Sequence, residues 1–250
     1  MSTSLWINGI SGKMGEELKS SVLKSQNFRL LGGTSIETSD SDAILGIKSA
    51  EMIIDFSSAE GTKRLLQHLA GIKGKTLLFC TTGLSGETIK SLKDLGTQHR
   101  VMLAPNTSLG VLLFSKVLEQ VSQVLYESNF DIEMTETHHR YKVDSPSGTA
   151  LFLRNAIDPS KKLETCNHYK SQRTKPQIGM HSIRGGGVAG EHSVRFISDS
   201  EELEISHRAF NRSLFASGAL VLARLLHSKK QGFYDFGDIS TSELLAVIKS

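Results

Sequence analysis

Residues 136–150 read ETHHRYKVDSPSGTA. Two adjacent histidines, a lysine and an aspartate fall within a few residues of a Ser-Gly-Thr turn. Imidazoles exchange protons near neutral pH and a lysine ammonium attracts carboxylates, so the set suits acid catalysis on an anionic substrate. In an extended segment His138 and His139 point to opposite faces and would do different jobs. A shared metal site is therefore not expected, and no HExxH or Cys/His spacing supports one. Pro146 breaks the segment, and Ser147-Gly148-Thr149 opens a helix over Ala150 to Ala156. A serine or threonine N-cap is the plainer reading of that turn. The functional reading has the N–H groups of Gly148 and Thr149 holding a substrate carboxylate, with Lys142 adding positive charge nearby. Asp144 is expected to orient Lys142 or hold the loop rather than act as a base. His168, His181, His192 and His207 occur singly and read mostly as structural or surface residues.

A second pattern stands near the start. Asn8-Gly9-Ile10-Ser11-Gly12-Lys13-Met14-Gly15 spaces its glycines as GxxGxxG, between an apolar run and a helical stretch. Glycines there allow a tight turn and let backbone N–H groups approach a pyrophosphate at a helix N-terminus. Without a ligand the same pattern is a glycine-rich turn; its place between strand and helix favours the nucleotide. The second strand should end in an acid that holds the ribose hydroxyls. The chain there reads Gly32-Gly33-Thr34-Ser35-Ile36-Glu37, with no well-placed acid and no arginine or lysine for a 2′-phosphate. NADH and NADPH are both left open. Further strand ends carry Asp55-Phe56-Ser57-Ser58, Cys80-Thr81-Thr82-Gly83 and Ala104-Pro105-Asn106-Thr107. Each alone is ordinary turn chemistry, but together such small and hydroxylated ends leave room for a cofactor.

The elements that must position these residues follow from periodicity. Strands are expected at 5–7, 28–33, 52–56, 76–80 and 101–104, with helical stretches to about Ser25, at 60–69 and at 87–95. Continuous apolar strands alternating with helices predict a parallel sheet covered on both faces. After Pro105 the pattern changes. A long helix is predicted from Leu109 to Tyr126, then a period-two strand at 130–134 with one wet face, then strands at 179–184, 193–197 and 203–206. No helical pattern separates the last three, which implies an antiparallel or mixed sheet. Phe215 to His227 is helical again and is expected to return to the first domain. The fold class is α/β: a Rossmann-like parallel-sheet dinucleotide domain at 1–107 and 213–250, with an inserted α+β mixed-sheet domain at 108–212.

Composition excludes other classes. Of 250 residues, 38% are hydrophobic and 22% charged, which suits a globular protein rather than a disordered one. A net charge of +3 suits an anionic small molecule and is too weak to argue for nucleic acid. Two cysteines, Cys80 and Cys166, form no framework, as expected in a reducing cytoplasm. No signal peptide is expected from MSTSLWINGIS, and Ala219–Leu226 is too short to span a bilayer, so no membrane partner is expected.

The histidine segment, written EXHHXXKXDXPSGTA, resembles the dihydrodipicolinate reductases, also called 4-hydroxy-tetrahydrodipicolinate reductases, of lysine and diaminopimelate biosynthesis. The resemblance spans nearly the whole chain. It includes Asn8 to Gly15, DFSSAEGT at 55–62, Thr81-Thr82-Gly83, APNTSLGV at 104–111 and RGGGVAGEHSV at 184–194. It implies a Rossmann-like domain with a mixed-sheet substrate domain, a homotetramer, and reduction of a cyclic unsaturated imine dicarboxylate by NADH or NADPH. Carried over, the proton donor falls on His138, with Lys142 as its cationic partner or a second donor. Substrate contacts fall on His139, Ser147, Gly148 and Thr149. Cofactor contacts fall on Gly9, Ile10, Ser11, Gly12, Lys13 and Met14, on Cys80, Thr81 and Thr82, and on Ala104, Pro105, Asn106 and Thr107. Three positions depart from the family pattern: Cys80 replaces glycine, Thr107 a large or aromatic residue, and Ser145 alanine. The domains are expected to close over the substrate. The rival readings are another nicotinamide-dependent oxidoreductase of amino or sugar acids, and a nucleotide-sensing protein that binds cofactor without turnover.

Overall fold

The computed structural model describes residues 2–174 and 176–249, in two compact units: Met1–Ser108 with Arg212–Ser250, and Leu109–Asn211. The first unit begins with β1 (Thr3–Asn8), α1 (Lys13–Leu23), β2 (Phe28–Thr34), α2 (Asp40–Ser49), β3 (Met52–Asp55), α3 (Ala59–His68), β4 (Thr76–Phe79), α4 (Gly86–Leu95) and β5 (Arg100–Leu103). All residues of β3 and β4 are buried, as strands covered on both faces require. Serine side chains cap three of the helices: Ser39 accepts from the Asp42 N–H, Ser58 from Gly61 and Ser85 from Thr88. Each satisfies one of the backbone donors orphaned at a helix start.

The second unit contains α5 (Leu109–Glu127), β6 (Asp131–His138), α6 (Gly148–Ile157), β7 (Glu164–Cys166), β8 (Gln177–Arg184), β9 (Glu191–Ile197) and β10 (Glu202–Arg208). The strand order is β10-β9-β6-β8-β7; β6 runs antiparallel to β9 and parallel to β8. The sheet is thus mixed. Helices α5 and α6 bury one face of it through Phe114, Leu118, Leu153, Ile132, Met134 and Phe196. The other face is polar, with Glu133 paired to His181 at 2.8 Å and bonded to Arg173.

The chain then re-enters the first unit with α7 (Ser213–Ser228), β11 (Gly232–Asp235) and α8 (Thr241–Lys249). Strand β11 pairs parallel with β5, giving the order β11-β5-β4-β3-β1-β2. This is a Rossmann-like sheet. The chain reverses direction across the sheet between β1 and β3, where open α/β sheets bind ligands beyond their strand ends. Periodicity missed α2, β7, β11 and α8. The shortest of them offer only three or four residues, too few to show a period. No helix among the described residues is long and apolar enough to cross a membrane.

Candidate active site

In the first unit the glycine turn joins β1 to α1. Gly9 has φ +85°, and a Cβ there would lie 2.8 Å from the Ser57 Cα. A Cβ on Gly15 would lie 2.1 Å from the Gly9 carbonyl oxygen. These two glycines are required by the turn's own packing. Gly12 differs: it is exposed, and a Cβ would meet only the Gly9 oxygen, at 3.3 Å. Gly12 is the N-cap of α1 and supplies no side-chain cap. Ser11, Gly12 and Lys13 are exposed at the start of α1, where a pyrophosphate could approach, although the Gly12 N–H itself donates to the Gly9 carbonyl. Beneath the turn, buried Asp55 accepts from the Asn8 amide at 2.9 Å, from the Ser57 N–H at 3.0 Å and from the Thr62 hydroxyl at 2.5 Å. This network fixes the end of β1 against the end of β3.

The parallel sheet brings the other predicted cofactor residues to the same edge, after β4 and β5. Cys80 is buried, its N–H donates to the Asp55 carbonyl, and burial pushes its thiol pKa well up. Thr81 is buried with no partner for its hydroxyl, and Thr82 is exposed. Ala104 is buried, Pro105 is exposed, and Asn106 accepts from the Ser108 N–H. Thr107 is buried and donates to the Phe215 carbonyl at 2.7 Å. Its hydroxyl is thus spent within the unit. Ile10 packs at Gly33, and Met14 is half-buried. After β2, Glu37 is an exposed turn residue. The cation beside this turn is Arg64, which donates to the Thr38 carbonyl and pairs with Asp40 at 2.8 Å.

In the second unit β6 continues past the expected strand to His138, and its burial alternates throughout. Ile132, Met134, Glu136 and His138 share the buried face; His139 stands just beyond the strand and is half-buried. The adjacent histidines thus enter different surroundings, as alternation requires. Glu136 is 1% exposed. Its Oε1 accepts from the Ser147 N–H at 3.1 Å, the Ser182 hydroxyl at 2.7 Å and Arg184 at 2.9 Å. Its Oε2 lies 3.2 Å from the His138 Nδ1. Burial alone would raise the Glu136 pKa, but the nearby His138 ring and the bonds from Ser147, Arg184 and Ser182 outweigh it and hold the carboxyl far below the usual range.

The Ser147 hydroxyl caps α6 by accepting from the Ala150 N–H at 3.1 Å and contacts the His192 Nε2 at 3.2 Å. Because the Ser147 N–H is held by Glu136, the start of α6, with exposed Gly148 and half-buried Thr149, is tied to the strand that carries His138. Lys142 pairs with Asp144 at 2.8 Å, and Arg184 also donates to the Asp144 carbonyl at 2.7 Å. His192 is not a surface residue: it is 5% exposed and stands edge-on to His138, with ring centroids 5.1 Å apart. Glu136, Arg184 and His192 were not among the expected site residues. The available signal was the Glu-x-His spacing of Glu136 and His138, which places both on one strand face.

Among the described residues, Glu136, His138 and His192 have donor atoms close enough for a metal ion, within 4.8 Å of one another. The Arg184 guanidinium on the same carboxylate opposes a second positive charge there.

Burial, then the charge of His138, push the His192 pKa down to about 4. An unfolded histidine titrates near 6.5. His192 therefore stays neutral in the fold while the unfolded chain takes up a proton between those values. Its contribution to stability is complete above about pH 6.5 and is lost as pH falls toward 4, by roughly 3 kcal/mol. Thermal melts across this range should show the midpoint falling on acidification, with a shallower fall in His192→Asn. Equal slopes in the two proteins would contradict the buried neutral state.

The sequence profile of the dihydrodipicolinate reductase N-terminus matches residues 3–107, and that of the C-terminus matches 110–239. A 4-hydroxy-tetrahydrodipicolinate reductase of Clostridium perfringens is 36% identical over 246 residues, covering 93% of this chain and 96% of that protein. One from Clostridium novyi is 34% identical, covering 96% and 99%. Among solved structures, a dipicolinate-bound dihydrodipicolinate reductase from Paenisporosarcina sp. TG-14 superposes with a TM-score of 0.70 at 22% identity, covering 96% of this chain and all of that one. A DAP dehydrogenase from C. glutamicum shares the fold more distantly, with a TM-score of 0.55 at 10% identity over 97% of this chain and 95% of that one.

Proposed function

The chain belongs to the dihydrodipicolinate reductase family, and on that premise we propose how its residues carry the reaction. The reaction is the NAD(P)H-dependent reduction of a cyclic unsaturated imine dicarboxylate to tetrahydrodipicolinate, in lysine and diaminopimelate biosynthesis. The observation that supports the assignment of roles is the second unit's cluster: His138 at the end of β6, Lys142 in the loop, and the start of α6 pinned to the same strand by Ser147 and Glu136.

Within the Gly9–Met14 turn the N–H groups of Gly9, Ile10 and Gly12 are bonded to the Thr34 and Gly9 carbonyls, so those of Ser11, Lys13 and Met14 would hold the cofactor's pyrophosphate, with the strand ends at Cys80–Thr82 and Ala104–Thr107 along its path. A bound reduced nicotinamide supplies the hydride. His139, Lys142 and the α6 start at Ser147, Gly148 and Thr149 hold the two substrate carboxylates. Lys142 exchanges Asp144 for substrate when it does so. As hydride adds to one end of the conjugated system, negative charge builds at the other, and His138 gives a proton there. Lys142 and the helix-end donors steady the dianion in that geometry.

Assembly is as a homotetramer through the second unit, which predicts a solution mass of four times the 27.3 kDa chain. The enzyme works in the cytoplasm; its two free cysteines suit a reducing compartment. Discrimination between NADH and NADPH should be modest, because the turn after β2 has no acid in place for the ribose and its neighbouring Arg64 is committed to Asp40. One charge-assisted contact is worth only ~1.5–3 kcal/mol. Values of kcat/KM for the two cofactors that differ by several orders of magnitude would refute that reading of the turn. The function itself is tested by a coupled assay in which the preceding synthase generates the substrate. Oxidation of reduced nicotinamide that depends on substrate is expected; cofactor binding without turnover would support the sensing alternative.

A further inference from the structure

We infer that Glu136 is a positioning residue: its carboxylate holds the Nδ1 proton of His138 and so leaves the Nε2 as the nitrogen that serves the substrate. The inference rests on His138 being the proton donor and adds what makes it one.

The two oxygens of Glu136 have separate tasks. Oε1 is saturated by Ser147, Ser182 and Arg184. Oε2 has no hydrogen-bond partner, and neither has the His138 Nδ1, yet the two lie 3.2 Å apart and both are buried. Each is the polar group nearest to satisfying the other, and an unpaired buried charge is costly. At 3.2 Å the two are within the distance range of an N–H···O bond. At the opposite end of the ring, a Cβ on residue 190 would come within 3.2 Å of the Nε2, and residue 190 is glycine. A side chain at residue 190 would stand against the Nε2, and glycine places none there.

Competition for the Glu136 charge comes from every strand around it. Arg184 on β8 takes the other oxygen. His192 on β9 places its Nε2 at 3.8 Å from Oε2, farther than His138, and burial keeps it neutral. His207 on β10 is opposite His192 in register, and burial lowers its pKa as well. Glu191, beside His192, is bound to Arg208. Lys142 in the loop is neutralised by Asp144. Of the imidazoles around Glu136, His138 is therefore the one placed to donate to its Oε2. A carboxylate on Nδ1–H fixes the ring's tautomer and orientation. When His138 gives up its Nε2 proton, the ring becomes neutral with Nδ1–H still on Glu136, and water restores the lost proton.

The test is Glu136→Gln, alone and combined with His138→Gln, measured for kcat, KM and pH dependence. In Glu136→Gln the amide oxygen must face the three donors at the Oε1 position, so its NH2 faces the Nδ1 and opposes a proton there. We expect kcat to fall by about 10–10²-fold with KM little changed. The fall of kcat at high pH should set in at lower pH than in the wild type. Adding Glu136→Gln to His138→Gln should cost little more. An unshifted profile, or a loss that multiplies in the double variant, would overturn the inference while leaving His138 as donor. A His138→Gln enzyme with wild-type kcat would instead remove the donor assignment itself. If Glu136→Gln does not fold, nitrogen NMR of the histidine-labelled wild type decides: Nδ1–H on neutral His138 is expected, and Nε2–H would overturn the inference.

Discussion

His138→Gln should lower kcat by about 10²–10⁴-fold, the usual contribution of a positioned acid, with cofactor affinity close to wild type. The separation is expected because His138 belongs to the second unit, at the end of β6, whereas the glycine turn belongs to the first. Glutamine keeps polar atoms near the imidazole's position but cannot donate a proton as an acid. Lys142→Ala provides the contrast. On the proposed roles it removes a charge that would meet the substrate in the ground state as well as in the transition state, so KM should rise along with the loss in kcat. Circular dichroism establishes that both variants fold. A His138→Gln enzyme turning over at the wild-type rate would reduce the segment to a binding element, with the proton coming from water or Lys142.

Gly12→Val should weaken NADH and NADPH alike, by at least about 10-fold. The side chain would stand at the exposed N-cap of α1, where the pyrophosphate must approach the backbone. Each charge-assisted N–H bond lost is worth ~1.5–3 kcal/mol, or roughly 10–10²-fold in affinity. The fold should survive. Residue 12 has φ −76°, which any residue adopts, and a Cβ has only one close neighbour. Gly9 and Gly15 would be poor choices for this experiment, because a side chain at either collides with backbone in the free protein. Fluorescence titration of reduced cofactor reads the effect. Unchanged affinity in a folded Gly12→Val protein would remove the pyrophosphate from this turn.

The first unit was largely legible in the sequence because each central strand is a continuous apolar run, and a run of that kind marks its own ends. The residues gathered at the sheet edge followed from the same rule, since parallel strands share one carboxyl end. Legibility failed where a buried position is polar. Strand β6 was expected to stop near Met134, yet the alternation continues with Glu136 and His138 in place of apolar residues. A hydropathy period cannot show a buried face made of a carboxylate and an imidazole. What reveals it is the satisfaction of that carboxylate by Arg184, Ser182 and Ser147, which come from β8 and from the start of α6. His192 was missed for the same reason: 54 residues separate it from His138 in the chain, and only the pairing of β6 with β9 places it beside that ring. The glycines were identified as a group, but which two serve packing and which one is left open to solvent depends on where their absent side chains would point.

Isotope transfer tests the central claim most directly. Reduced cofactor deuterated at both C4 positions is incubated with the purified chain and synthase-generated substrate, and the product is weighed by mass spectrometry. Tetrahydrodipicolinate carrying one cofactor-derived deuterium is the predicted result. Product without the label, or label retained entirely on the nicotinamide, would contradict the account.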